Sequence, residues 1–425
     1  MRVLGLLFFV SLTVVFPIGA NALDSPEHLA ALAVKANPEI SMLRHQIEAL
    51  EEQERAAAVW KDPVLMVEYS NMPWDDPFLG EHAMSGIQLK VQQTFPFPGK
   101  NDRRQAVAAA QVDVKRFELE ELKSQLGRKV QQFYWKLVLV KRLKRIREKH
   151  ITVVDRLLEA VKAKYASGRA NQQDILKLHV LKEKLADDIY DFTQRRRELT
   201  ATINSALHRD MNVSIETDEQ IPLVQSTATL NQLAERAENE RVLLKVWKKK
   251  AEFERLAAER EGYEKWPDIT VWTGYRIRRE VGMDRGEDFV SIGMSVPIAL
   301  DYKRRYEAKK GARLANALAS EEKYKSVLDG ISSGIERSLS KWQRSYQKAI
   351  TYREQLIPEA EATLEAALSA WQVGRTEFSS LYQAELQLLN FEEAVVVARA
   401  QTVLMSLEVE LLAGESSITE PERKS

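Results

Sequence analysis

Chemistry in this chain would have to come from carboxylates, amines and six histidines, because the sequence contains no cysteine. That excludes disulfides, thiolate metal sites, a cysteine nucleophile and a lipid-modified N-terminal cysteine. Metal-ligating residue types crowd together in one loop, which carries Met72, Asp75, Asp76, Glu81, His82 and Met84. Methionine and histidine suit soft ions and carboxylates suit hard ones. No ligand-spacing motif accompanies them, so the loop reads first as an ordinary polar connection. His28, His45, His150, His179 and His208 are scattered over helical segments. No Gly-rich phosphate loop and no nucleophile elbow occurs. The sequence therefore predicts no enzyme and no cofactor, and it nominates no catalytic or metal residue.

The residues that stand out instead lie at two turns. Tyr165-Ala166-Ser167-Gly168-Arg169 and Trp371-Gln372-Val373-Gly374-Arg375 share one pattern, and Asp174 follows the first as Ser380 follows the second. Glycine at such a point permits the left-handed backbone that ends a helix. Gly168, Arg169, Asp174, Gly374 and Arg375 can be read as helix caps alone or as the polar tips of helical hairpins.

Long elements must position these tips. Glycine (17) and proline (13) together make up about 7% of the 425 residues, against roughly 12% in ordinary proteins. Few turn residues in a long chain mean few, long elements. Apolar residues recur every three or four positions through Leu126, Val130, Phe133, Leu137, Val140, Leu143 and Ile146, then Val153, Leu157 and Val161, with His150 interrupting the seam. A second seam runs Tyr324, Leu328, Ile331, Ile335, Leu339, Trp342, Tyr346 and Ile350. Such seams mark coiled-coil packing. The pattern predicts helices over 25–59, 101–165, 172–208, 229–262, 303–371 and 377–414. Two of them reach about 100 Å at 1.5 Å per residue. The shorter ones, stacked end to end in pairs, match the long ones, which predicts a bundle of two continuous and two interrupted helical lines. Pro358 should kink or break the second long helix.

Four segments alternate with period two. Ile87, Leu89, Val91 and Phe95 oppose Gln88, Lys90, Gln92 and Thr94, and Val290, Ile292, Met294 and Val296 oppose Ser291, Gly293 and Ser295. Ile269, Val271 and Tyr275 oppose Thr270, Gly274 and Arg276, while Val64–Tyr69 is apolar on both faces apart from Glu68. This suits a half-buried soluble sheet or a membrane barrel facing lipid and water. Four strands cannot enclose a pore, but twelve from three copies can.

The two turns, the strand pairs and matches such as Asn37 with Asn239 and Pro96 with Pro297 suggest two similar halves. The predicted organisation is a signal peptide over 1–22, a first structural repeat over 23–210, an equatorial linker over 211–228, a second repeat over 229–414 and a polar tail over 415–425. Arg2, the apolar run Val3–Phe16 and Ala20-Asn21-Ala22 form the export signal with its cleavage site. Lys and Arg number 62, as do Asp and Glu, so no basic excess points to nucleic acid. Basic runs such as Lys141–Lys149 and Arg195–Arg197 read as solvated helix faces.

The chain resembles the TolC-like outer-membrane efflux proteins over essentially its whole mature length. The resemblance rests on Asn37-Pro38-Glu39-Ile40, on Phe95-Pro96-Phe97-Pro98-Gly99-Lys100 and on Pro358-Glu359-Ala360-Glu361-Ala362-Thr363-Leu364 running into Gly374-Arg375. It implies a mainly α fold with a small β part: a long coiled-coil α-helical barrel, plus four strands per chain that form a trimeric 12-stranded transmembrane β-barrel. It also implies a homotrimer in the outer membrane of a Gram-negative bacterium, a periplasmic adaptor, an inner-membrane pump of the resistance-nodulation-division type, and no cofactor. On this reading Gly168, Arg169, Asp174, Gly374 and Arg375 form the periplasmic aperture and meet the adaptor. The Phe95–Lys100 segment is especially similar to the heavy-metal branch, although members of that branch often carry a lipidated N-terminal cysteine and this chain has none. The competing expectation is a periplasmic coiled-coil scaffold without a pore.

Overall fold

The computed structural model describes residues 24–72, 74–75, 82–218 and 220–415. The expected export signal, Asp76 and Glu81 of the polar loop, and the tail beyond Glu415 lie outside these residues. The chain is mainly helical with one four-stranded antiparallel sheet. Its elements run α1 (Pro26–Ala36), α2 (Pro38–Ala57), β1 (Val64–Ser70), β2 (Gly86–Phe95), α3 (Lys100–Ala166) and α4 (Gln172–Ala206). The same series then recurs as α5 (Leu230–Glu240), α6 (Val242–Tyr263), β3 (Ile269–Arg278), β4 (Phe289–Ser295), α7 (Ala308–Thr351), α8 (Ile357–Gln372) and α9 (Phe378–Ala413).

Three helices expected to be continuous are interrupted, each for a local reason. The first breaks at Asn37, whose backbone is extended (φ −68°, ψ 126°). The Asn37 side chain accepts the Glu39 N–H at 2.9 Å, and Pro38 fills the first helical position, where its missing N–H costs nothing. The fourth breaks at Arg241 (φ −63°, ψ 114°). Arg241, rather than Asn239, is thus the counterpart of Asn37. Its guanidinium is buried and grips Glu121 of α3 through two bonds of 2.7 and 2.6 Å. The second long helix carries π turns at Lys303–Glu307 and Tyr352–Leu356. The latter ends two residues before Pro358, which cannot donate to the carbonyl four residues back and whose ring crowds it. Widening the turn absorbs the misfit, and the chain stays helical on both sides.

α3 packs on α4 towards one end, on α1, α2 and α6 towards the other and on α9, while α7 packs on α6 and α9. The main core runs along these contacts through Val130, Leu137, Val138, Val154, Leu157, Val161, Leu178, Leu185, Leu381 and Val403. No helix among the described residues is long and apolar enough to cross a membrane.

The strands pair in the order β1-β2-β3-β4, so β2 and β3 join the two halves of the chain. At the sheet's helical end, Gly99 (φ +84°) turns the chain into α3. Lys100 is buried there, 2.8 Å from Asp268 and 3.3 Å from Glu264. The Phe97 N–H also reaches Asp268 at 3.1 Å, and the Phe97 ring stacks on Trp266 at 5.1 Å. The Phe-Pro-Phe-Pro-Gly-Lys segment is thus a strand-to-helix corner bolted across to β3.

Candidate channel wall and helical tips

The sheet distributes its side chains in the reverse of a soluble protein. Leu65, Val67, Leu89, Val91, Val271, Tyr275, Val290, Ile292 and Met294 are exposed, Ile292 at 81%. Their neighbours on the other face are more enclosed: Gln88 is buried, and Lys90, Gln92, Trp272, Arg276 and Ser291 are half-buried. This shading places the polar side chains on the concave face, where they converge. Glycine admits the curvature on that face. A Cβ at Gly293 would lie 2.4 Å from the Trp272 ring, and one at Gly274 would lie 2.6 Å from the Gln88 amide. Among the described residues, β1 and β4 each have one unpaired edge in the single chain. An exposed apolar edge strand is a template for pairing with another chain.

Aromatic residues gather where sheet meets helices. Trp60 packs edge-on against Phe95 at 5.4 Å, and Trp60 and Trp266 are 57% and 45% exposed. The Arg103 guanidinium covers the Tyr263 ring at 3.2 Å. Half-exposed tryptophans bordering an apolar band are characteristic of a membrane–water boundary.

At the far end of the helices the two turns are built alike. Gly168 (φ +71°) and Gly374 (φ +77°) follow the last residues of α3 and α8. The Arg169 N–H bonds to the Lys164 carbonyl at 2.8 Å and the Gly168 N–H to that of Tyr165 at 2.9 Å. The second tip repeats this from Arg375 to Ala370 at 2.9 Å and from Gly374 to Trp371 at 3.1 Å. Both are Schellman closures. The Arg169 and Arg375 side chains are exposed, and among the described residues neither guanidinium has a partner within the chain. Asp174 differs: its half-buried carboxylate accepts the Asn171 N–H at 3.4 Å and helps start α4.

The tips are tied together by residues outside the five nominated from the sequence. Lys164 donates to the Trp371 carbonyl, with its ammonium 4.2 Å from the centre of the Trp371 ring. Further along, His150 of α3 is 1% exposed and meets two carboxylates of α9, with Nδ1 2.6 Å from Glu385 and Nε2 3.2 Å from Glu392. Burial alone would depress its pKa, but the two carboxylates outweigh burial and raise it to about 9. Around it, Lys149 lies 2.6 Å from Glu392, and Arg147 lies 2.8 Å from Glu393 and 3.4 Å from Asp188 of α4. The available signal was the histidine itself: a polar residue in an apolar seam implies a partner on the facing helix.

In the polar loop the His82 carbonyl accepts the Ser85 hydroxyl at 2.8 Å, and Met72 and Met84 are 50% and 45% exposed. Among the described residues no group of three or more acidic or histidine side chains is arranged to hold a metal ion.

No family model matches the sequence, and no curated protein does. Solved structures share the fold. The outer membrane protein VceC from Vibrio cholerae is 16% identical, with a TM-score of 0.75 over 92% of this chain and 96% of that one. CusC is 13% identical, with a TM-score of 0.74 over 94% and 95% of the two chains; its structures concern conformational changes accompanying folding and transmembrane channel formation. The CmeC outer membrane channel from Campylobacter jejuni is 11% identical, with a TM-score of 0.76 over 92% and 86%.

Proposed function

We propose that three copies of this chain assemble into an outer-membrane channel of the TolC-like efflux family, the exit duct of a tripartite pump. The observation that carries this reading is the sheet, which exposes its apolar face and leaves two edges unpaired. In lipid no backbone edge can stay open. Pairing β4 of one copy with β1 of the next closes twelve strands around the concave polar face. The ten-residue strands β2 and β3 match the ~9–11 residues that a tilted strand needs to cross the hydrocarbon. A periplasmic scaffold without a pore has no use for such a sheet.

The duct binds no cofactor and performs no catalysis; an inner-membrane pump of the resistance-nodulation-division type supplies the energy. An adaptor docks at the tips, where Gly168 and Gly374 shape the turns and Arg169 and Arg375 offer free guanidinium groups. Asp174 holds the start of α4 in place beneath them. Support for a heavy-metal cargo rests on the Phe95–Lys100 segment alone. Its corner role accounts for Phe95, Phe97, Gly99 and Lys100, so the reading extends to solutes handed over by the pump and not to a particular metal.

Expression in a Gram-negative host followed by membrane fractionation tests the assembly. The expected product is a trimer in the outer-membrane fraction that dissociates only on heating, and a soluble monomer in the periplasm would sink the proposal. Reversing both tip charges, Arg169→Glu with Arg375→Glu, is expected to lower export while leaving the trimer intact. Full export by the double variant would remove these arginines from the docking surface.

A further inference from the structure

The concave face of the sheet carries a feature that neither folding nor closure requires. Lys90 of β2 sits with its ammonium 4.2 Å from the centre of the Trp272 ring of β3. Trp272 stands directly opposite Gln92 and Gly293, and its ring lies where a Cβ of residue 293 would be. Glycine at 293 is therefore the condition for the indole to lie flat against the wall. The indole in turn gives the ammonium a fixed seat, by a cation–π contact that strengthens as water is excluded. Lys90 itself stands opposite Met66 and Gly274, and no carboxylate among the described residues pairs with it. Gln88, Gln92 and Ser291 already make that face polar, so wetting of the wall does not explain a lysine held in place on an indole.

The other charges on this face set the sign of the field. Glu68 and Arg276 flank Gln88 in one cross-strand row, and Arg276 donates to the Gln88 amide oxygen at 3.1 Å. Arg278 is closed off by Asp284 and by the Glu287 carbonyl in the β3–β4 loop. Among the described residues Lys90 and Arg276 therefore stand against Glu68 alone on the open wall, and threefold assembly multiplies that excess.

We propose that Lys90, seated on Trp272, forms a threefold cationic ring inside the barrel that makes the exit selective for anionic over cationic solutes. Rings of lysine or arginine act in this way in anion pores. The ring would oppose the exit of free metal cations and favour organic anions and anionic complexes. This inference rests on the channel reading, and the test separates the two.

The test is the reversal potential of the purified trimer in planar bilayers under a potassium chloride gradient. The anion-to-cation permeability ratio is expected to fall from wild type to Lys90→Gln by several-fold and to fall further in Lys90→Glu. Lys90→Arg, which keeps the charge, should retain the wild-type ratio, and Trp272→Leu should lie between wild type and Lys90→Gln. Pores of normal conductance whose ratio is the same in wild type, Lys90→Gln and Lys90→Glu would overturn the ring while leaving the channel standing. Absence of any conductance from the wild-type protein would remove the channel and the ring together.

Discussion

Leu89→Arg is expected to abolish assembly in the membrane. Leu89 lies in the middle of β2 on the face whose side chains are exposed in the single chain. On the channel reading that face meets hydrocarbon, where an arginine near the midplane costs about 2–4 kcal/mol. The change enters three times in a trimer, so the total cost is comparable with the entire stability of an ordinary domain. Arginine at Gln92, on the opposite face of the same strand, points into the water-filled interior and should be tolerated. The readout is the amount of heat-dissociable oligomer in the membrane fraction. Wild-type levels for Leu89→Arg would mean that this face does not meet lipid. If the sheet were instead the solvated part of a scaffold, both variants would behave alike.

The second large effect concerns His150. Removing the imidazole by His150→Ala leaves Glu385, which is 2% exposed, as a buried charge without its partner. Breaking a buried pair in this way costs about 3–5 kcal/mol. The loss falls on the contact between α3 and α9, so the two hairpins should part at the tips before the bundle unfolds. Amide exchange along α9 around 385–392 reads this directly, because local opening exposes those amides. Wild-type protection in His150→Ala would show that the pair contributes nothing to the tips. The pH dependence has a definite sign. The imidazole's folded pKa, about 9, lies above its ordinary value of 6.5. Its stabilisation is therefore fully present below pH 6.5 and is lost as pH rises through about 9. Glu392 acts at the other end. Burial would raise its pKa, but His150 and Lys149 outweigh burial and lower it. Its contribution is present above its ordinary value of 4.5 and fades in acid. Between these limits the tie between the hairpins should hold.

The parts of this molecule that were legible in the sequence are those specified by local periodicity. The seam through Val130, Leu137 and Val161 located α3, and the alternation through Ile87–Phe95 located β2 within one residue of its start. Gly168 and Gly374 marked both tips because only a left-handed residue closes a helix in that way. What escaped was determined by contacts between distant segments. Arg241 breaks its helix without a proline or glycine, since the cause is Glu121, over a hundred residues away. Pro358 announced a disturbance, but its absorption into a π turn depends on the helix finding room to widen. The pairing of His150 with Glu385 and Glu392 could not be read from α3 alone, although the two glutamates are two helical turns apart and therefore share a face. The seat of Lys90 on Trp272 required the register between β2 and β3, strands that lie far apart in sequence.

On the channel reading, three copies of the sheet enclose a water-filled path through a membrane. Single-channel recording from the purified protein in planar bilayers tests it most directly. Discrete, ohmic conductance steps are expected from the heat-dissociable trimer and none from the heated monomer. A trimer that inserts into or coats the bilayer without passing current would contradict it.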